Sequence, residues 1–165
     1  MRRLRVIHTL ETLWTRIGLS AQIDPLVRLE LDSIPDGTII SFSCQVECSE
    51  YVLELVKSDL KFTKVTTDLP SQSKIRIHCT SFQRLYELFC AKRMLSEIIA
   101  TGDIRVQGPS PLVMSLIRLI QQSLPYTGGM KKARAIANDV FPPLEYQKRR
   151  IRYLFEKIRT RGVKT

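Results

Sequence analysis

The sequence is poor in the residues that most often carry catalysis or bind metals. It has two histidines, His8 and His78, and its four cysteines form no CxxC pair. No Walker-type phosphate loop is present, because Gly128-Gly129 is followed by Met-Lys-Lys and is not preceded by a phosphate cradle. We therefore expect a protein that is not an enzyme and that needs no cofactor or metal.

The cysteines fit a structural role better than a metal site. Three of them fall on the inward phase of predicted strands or in an apolar helix, where cysteine behaves as a small hydrophobe. Adjacent residues in a strand point to opposite faces, which argues against joint ligation by His78 and Cys79. The alternative is a metal site built from four residues: Cys44, Cys48, His78 and Cys79.

Long apolar runs are also missing. A membrane-spanning helix needs about 20 apolar residues, and the longest candidate, 112–120, is too short. The N-terminus begins with arginines but has neither the apolar run nor the cleavage site of a secretory signal, which leaves an Arg-rich organelle presequence as a second interpretation. We expect a cytoplasmic protein, with peripheral membrane contact as an additional possibility.

Positive charge is concentrated at the two ends of the chain. The formal net charge is +10, of which residues 131–165 carry +8 and residues 1–16 carry +3, so the middle is close to neutral. This asymmetry points to an anionic partner for the ends, such as a membrane surface, a nucleic acid or an acidic protein. The length of 165 residues with 44% hydrophobic content predicts one compact domain with a tail.

Hydrophobic periodicity predicts an α+β fold. A helix over 4–18 that ends near Gly18 is followed by a loop containing Pro25, Pro35 and Gly37. Period-two alternation then predicts an antiparallel meander of four strands, with a hairpin at Ser58-Asp59. These strands cover residues 40–48, 51–57, 60–65 and 74–79.

The second half of the chain is predicted to be mainly helical. Ser81 is a natural N-cap for the first of two helices, and Ser110-Pro111 open a third after a short strand. SLPYTGG is predicted to be a linker, followed by two basic helices separated by Pro142-Pro143. The predicted ranges are helices 82–93 and 94–102, strand 103–108, helix 111–121, linker 123–129, and helices 130–141 and 144–162.

The helix at 111–121 is unusually apolar. Ser115, Arg118 and Gln122 form one narrow polar stripe, and aliphatic residues cover the remaining arc. One side of such a helix can pack on a sheet, so the other side must meet further protein or a ligand. A filled core in a scaffold subunit and an apolar cavity for a ligand are both consistent with this pattern.

The run from KIRIHC through two helices to ATGDIRVQG and an apolar helix resembles the sterol carrier protein type-two domain. The family motif SGxxxxxGD corresponds to residues 101–109, where Gly102 and Gly108 match and Pro109 departs from the usual residue. The C-terminal extension and LPYTGG are similar to the bacterial accessory factors of ubiquinone biosynthesis, although their extension is typically longer. The resulting domain prediction is an N-terminal amphipathic helix (1–25), a sterol-carrier-like domain (26–122) and a basic helical extension (123–165).

The resemblance implies a five-stranded, mostly antiparallel sheet whose covering helices enclose an apolar tunnel. It also implies lipid binding or transport, with an isoprenoid, a quinone precursor or an acyl chain as the ligand. The residues that we expect to contact the lipid are Phe42, Val46, Phe82, Leu85, Phe89, Leu95, Ile98, Ile99, Val113, Met114, Leu116, Ile117 and Ile120.

The basic tail has three possible roles. An amphipathic helix rich in Lys and Arg can lie on an anionic membrane, it can neutralise the phosphates of a nucleic acid, or its apolar stripe can dock on its own domain. Membrane contact, or contact with a biosynthetic protein complex, is favoured because no nucleic-acid-binding motif accompanies the charge. The predicted contact residues are Lys131, Lys132, Lys148, Arg149, Arg150, Arg152, Lys157 and Arg159.

Overall fold

We describe the protein from a computed structural model. The backbone is described for residues 2–46, 49–65, 75–81, 95–127 and 143–162, together with Arg84 and Glu87. Side chains are described for residues 12–44, 52–65, 75–81, 84, 87, 97, 99–126 and 144–159. The predicted helices at 82–93 and 130–141 and the turn DLPSQS lie outside these ranges.

Two consecutive helices begin the fold. Helix α1 (Arg2–Ile23) is longer than predicted, because Gly18 lies inside it and does not end it. A Cβ at Gly18 would come within 2.5 Å of the carbonyl oxygen of Leu60, so glycine here permits close packing. The loop predicted around Pro25 is wrong, since helix α2 (Pro25–Asp32) starts there with Asp24 as its N-cap and proline at the first position.

The first three strands follow the predicted alternation. Strands β1 (Ile39–Val46) and β2 (Ser49–Ser58) pair antiparallel, and β2 continues through a tight turn into β3 (Lys61–Lys64). Asp59 in that turn has a positive φ of 50°, a conformation that aspartate tolerates better than most residues. The hairpin predicted at Ser58-Asp59 is therefore confirmed.

The fourth strand corrects the predicted meander. Strand β4 (Ile75–Cys79) pairs in parallel with β1, from Ile40 opposite Ile75 to Cys44 opposite Cys79. Strand β5 (Ile104–Gln107) then pairs antiparallel with β4, which gives the order β3-β2-β1-β4-β5. The sheet has five strands and is mostly antiparallel, so the predicted α+β class is confirmed.

Three further helices complete the described fold. Helix α3 (Leu95–Ala100) ends before Gly102, whose φ of +73° suits glycine. Helix α4 (Ser110–Thr127) contains Pro125 and extends past the predicted end at residue 121, so the linker prediction is wrong up to residue 127. The predicted domain boundary at 122 consequently falls inside this helix. Helix α5 (Pro143–Gly162) matches the predicted final helix.

The core lies between one face of the sheet and helices α1, α2 and α4. Alternate residues of the strands point into it, and the opposite face of the sheet carries polar side chains such as Ser43, His78 and Arg105. Trp14 of α1 packs its ring against Phe42 at 5.3 Å and against Phe62 at 4.7 Å between ring centroids. This packing makes α1 part of the core and places it directly against the apolar face of the sheet.

Candidate functional site

The candidate site is the apolar layer in which the inner face of the sheet and helices α1, α2 and α4 contribute to one buried cluster. On the sheet side, Phe42 is fully buried at the centre of strand β1. On the helix side, Leu116 and Ile120 are buried in the same core cluster. The sequence predicts that these three residues contact a lipid. The structure places them in one buried cluster, and their contact with a lipid stays a prediction.

One flank of helix α4 is only partly buried. Val113 and Ile117, one helical turn apart, are only partly buried against the core, and Met114 beside them is 49% exposed. Ile99 of α3 and Val106 of β5 are also partly buried against the core. The first half of α4 therefore presents adjacent apolar side chains that are partly buried or, for Met114, exposed.

A polar cluster connects helix α5 to the start of α2 and the end of α4. The Asp24 carboxylate caps α2 by accepting the Leu26 N–H at 2.9 Å, and its other oxygen accepts a hydrogen bond from the Tyr126 hydroxyl. The Arg149 Nη2 of α5 lies 2.6 Å from that same oxygen, and both charged side chains are about nine-tenths buried. The Arg149 guanidinium also donates to the Gln122 backbone carbonyl at 3.1 Å and lies 5.7 Å from the Tyr126 ring centroid.

The ionisation of this cluster follows from its geometry. Burial raises the pKa of the Asp24 carboxyl, but the Tyr126 hydrogen bond and the Arg149 charge lower the pKa more, so Asp24 is a stronger acid than usual. Burial, followed by the hydrogen bond to Asp24, raises the pKa of the Tyr126 phenol. At neutral pH the cluster thus contains a carboxylate, a guanidinium and a neutral phenol, which together hold α5 against α2 and α4.

Comparison with solved structures identifies the architecture. The chain is similar to a structure described as a UbiJ-SCP2 ubiquinone synthesis protein, with a TM-score of 0.52, 17% identity, and coverage of 74% of this chain and 97% of that one. The chain has the sterol carrier protein type-two fold. No protein-family model and no curated protein matches the sequence.

Two further similar structures are described as sterol carrier proteins. Sterol carrier protein 2 like 2 from Aedes aegypti has a TM-score of 0.46 and 10% identity, and the match covers 68% of this chain and 96% of that one. A conserved protein from Thermus thermophilus, described as possibly a sterol carrier protein, has a TM-score of 0.49 and 8% identity, with coverage of 76% and 90%.

Several predicted lipid contacts lie outside what the structure describes. For Val46, Leu95 and Ile98 the backbone is described, in β1 and α3, but the side chain is not. Phe82, Leu85 and Phe89 belong to the undescribed part of the chain. The role of these residues in a sterol carrier protein type-two fold stays a prediction.

The basic residues of the extension do not all face the same way. Arg149 enters the Asp24 cluster, and the Arg150 guanidinium donates to the Pro125 carbonyl at 2.9 Å, so both charges point towards α4. Lys148, Arg152 and Arg159 are exposed, and Lys157 is partly buried. Lys131 and Lys132 lie outside the described residues.

Sequence reasoning missed the Asp24 cluster. A local signal existed, because Asp24-Pro25 is a strong N-terminal helix signature. The partners of Asp24 could not be found that way, since Tyr126 and Arg149 are 102 and 125 residues away in the chain. Folding brings these residues together through the packing of α2, α4 and α5.

The polar face of the sheet carries one Ser-His contact. The Ser43 hydroxyl and His78 Nδ1 are 2.9 Å apart across the parallel β1-β4 pair. On the inner face, burial and the neighbouring Cys44 raise the pKa of Cys79 to about 12, so its thiol stays protonated. Within the described ranges, no three His, Cys, Asp or Glu side chains lie close enough together to hold a metal ion.

Proposed function

We propose that the chain is a non-catalytic lipid-binding protein that holds the apolar tail of a lipid between its sheet and helix α4. The observation that carries the proposal is the partly open apolar flank formed by Val113, Met114 and Ile117. Covering such a flank removes apolar surface from water, which is favourable in free energy. A lipid tail can cover it without any polar group that would need a hydrogen-bond partner.

The expected ligand is an isoprenoid, a quinone precursor or an acyl chain. Each buried methylene contributes about 0.8 kcal/mol, so a chain of ordinary lipid length is held by contact area alone, without catalytic or charged residues in the layer. The fold that this chain shares with a structure described as a ubiquinone synthesis protein supports an accessory role in lipid or ubiquinone biosynthesis.

The first test is to recover the ligand. The full chain is purified without detergent, examined by native mass spectrometry and extracted with organic solvent. We expect a bound lipid whose mass disappears after extraction, and the extracted protein is expected to rebind fatty-acid and quinone probes. A protein that carries no lipid and binds neither probe would be a scaffold with a filled core.

A matched pair of variants locates the ligand. Ile117→Gln places a polar group on the proposed lipid-facing flank, and Leu29→Gln makes the same kind of change on the exposed surface of α2. We expect Ile117→Gln to reduce probe affinity by about 5- to 150-fold, since leaving a buried amide unpaired costs about 1 to 3 kcal/mol. Equal affinity in the two variants would move the ligand away from α4.

A further inference from the structure

Among its described side chains, helix α5 presents its aliphatic residues and Phe155 to solvent. Phe155 is 70% exposed and Ile158 is 69% exposed. Positions spaced by three, four or seven residues share one helical face, so the exposed apolar side chains form a single stripe. This exposed stripe consists of Leu144, Ile151, Leu154, Phe155 and Ile158.

The orientation of this stripe is fixed by the opposite face of the helix. Tyr146 and Tyr153 are buried against the domain, and the Tyr126 and Tyr153 ring centroids are 5.3 Å apart. Arg149 lies on the same side and is held by Asp24. Because both faces belong to one rigid helix, the exposed stripe cannot turn inward while these contacts persist.

Cations border the exposed stripe. Lys148, Arg152 and Arg159 are exposed and lie along one edge of it at helical spacing. The helix as a whole carries seven Lys and Arg against Glu145 and Glu156. The outward surface therefore combines apolar side chains with excess positive charge, the pattern of helices that lie in the interface of an anionic membrane.

A second helix fits this surface less well. Coiled coils need apolar heptads sustained over about three to four repeats, and α5 is 20 residues long. Gln147 also interrupts the stripe between Leu144 and Ile151. A second copy of this chain would bring two strongly cationic helices together, which like-charge repulsion opposes.

From this surface we infer that the exposed stripe of α5 docks the protein on an anionic membrane. The helix lies in the plane of the membrane surface, with the apolar side chains among the headgroups and upper acyl chains and the bordering cations on lipid phosphates. The inference rests on the proposed lipid-binding function and adds to it a surface that contacts the membrane. At this surface a carried lipid would be exchanged between the protein and the membrane. Among the described residues, no helix is both long and apolar enough to cross a membrane.

The test is flotation of the full chain with vesicles. One set of vesicles contains equal parts phosphatidylcholine and phosphatidylglycerol, and the other contains phosphatidylcholine alone. We expect binding to the anionic vesicles that weakens as salt is added, because salt screens the attraction. Each bordering cation is expected to contribute about fivefold to the partition coefficient, so replacing Lys148, Arg152 and Arg159 with Gln should weaken binding on the order of 100-fold.

Two further variants separate the apolar term from the charge term. The double variant Phe155→Ser with Ile158→Ser should weaken vesicle binding at least tenfold with its net charge unchanged. The matched charge control replaces three exposed cations on the polar face of the sheet with Gln, namely Lys61, Arg76 and Arg105. The matched apolar control is Leu29→Ser on α2, and both controls should bind as the unaltered chain does.

Four results would overturn the inference. These are no flotation with anionic vesicles, equal flotation with neutral vesicles, equal losses in the controls, and a stable dimer in solution that Phe155→Ser dissociates. Each variant is first checked for an unchanged thermal unfolding midpoint. Lipid recovery on extraction is measured separately in every sample, so failure of vesicle docking and failure of internal lipid binding give different results.

Discussion

The two terminal helices have the same character in sequence and opposite environments in the structure. Both are basic, and both carry apolar residues at helical spacing. In the part of α1 whose side chains are described, Leu13, Trp14 and Ile17 lie in the core, and Trp14 is 1% exposed. In α5 the buried residues are tyrosines and an arginine, and the aliphatic stripe faces solvent.

This difference shows that periodicity identifies a helix face and not the partner of that face. Helix α1 lies against the apolar side of the sheet. It can approach the backbone of Leu60 in the β2–β3 turn closely because Gly18 has no side chain. Helix α5 instead reaches the domain through Tyr153 and Arg149, whose contacts are with Tyr126 and Asp24. An amphipathic helix can therefore be held by its more polar side and offer the apolar side to another partner.

The largest expected difference is in the free energy of unfolding, when an aromatic side chain is truncated in α1 and in α5. Trp14→Ala should reduce the free energy of unfolding by about 3 to 5 kcal/mol, because it empties a core position. Phe155→Ala should change it by about 0.5 kcal/mol or less, since surface substitutions have small effects. Urea unfolding of both variants measures this directly, and similar losses in the two would mean that α5 also buries its apolar stripe.

The next effect concerns the contact that holds α5 in place. Asp24→Ala removes a carboxylate that is paired with Arg149 in a buried site, and leaving one partner of such a pair uncompensated costs about 3 kcal/mol or more. Asp32→Ala removes a carboxylate from an exposed pair with Arg28, 3.6 Å apart, which should cost less than about 1 kcal/mol. Equal costs in urea unfolding would contradict the assigned role of Asp24.

A smaller effect is expected from pH. The folded pKa of Asp24 lies below the value of 3.8 for an unperturbed Asp, so the unfolded chain takes up a proton first as the pH falls. The stability contributed by Asp24 is therefore fully present above pH 3.8 and is lost as the pH falls through the lower, folded pKa. Urea unfolding on both sides of this pH measures how the free energy of unfolding depends on pH. We expect this dependence to be flatter in Asp24→Asn than in the unaltered chain.

The matched control for this pH dependence is Asp36→Asn. The Asp36 carboxylate accepts a hydrogen bond from Lys57 at 2.7 Å, which lowers its pKa, but its side chain is exposed to solvent. We expect this substitution to flatten the pH dependence less than Asp24→Asn does. The opposite ranking would place the acid-sensitive contact at the Asp36 turn and away from helix α5.

Local sequence patterns were sufficient for most of the elements. The alternation of Ile40, Phe42 and Cys44 with serines fixed both the strand and its inward face, and a final helix was expected where α5 lies. Local patterns could not show that β4 pairs with β1 in parallel, because strand pairing depends on contacts distant in sequence. Helix continuation through Pro125 was missed because proline ordinarily ends a helix. Pro125 lies in the last turn of α4, where its carbonyl accepts a hydrogen bond from Arg150.

The candidate site was predictable only in part. The apolar helix and the inward strand residues follow from composition and period, so Phe42, Leu116 and Ile120 could be assigned to the layer before its geometry was known. The direction in which each basic residue of α5 points depends on the roll of that helix against α4. Charge alone therefore could not distinguish Arg149, which is held by Asp24, from the exposed Arg152.

The most direct measurement of the internal lipid site uses Trp14. It is the only tryptophan in the chain, and its ring packs against Phe42 in the proposed lipid-binding layer. A brominated fatty acid quenches tryptophan emission at short range, so titrating it into the extracted, vesicle-free protein reports on an acyl chain next to this layer. We predict saturable quenching that an unbrominated fatty acid reverses. Absence of quenching, with or without binding of the fatty acid elsewhere, would contradict a lipid tail between the sheet and helix α4.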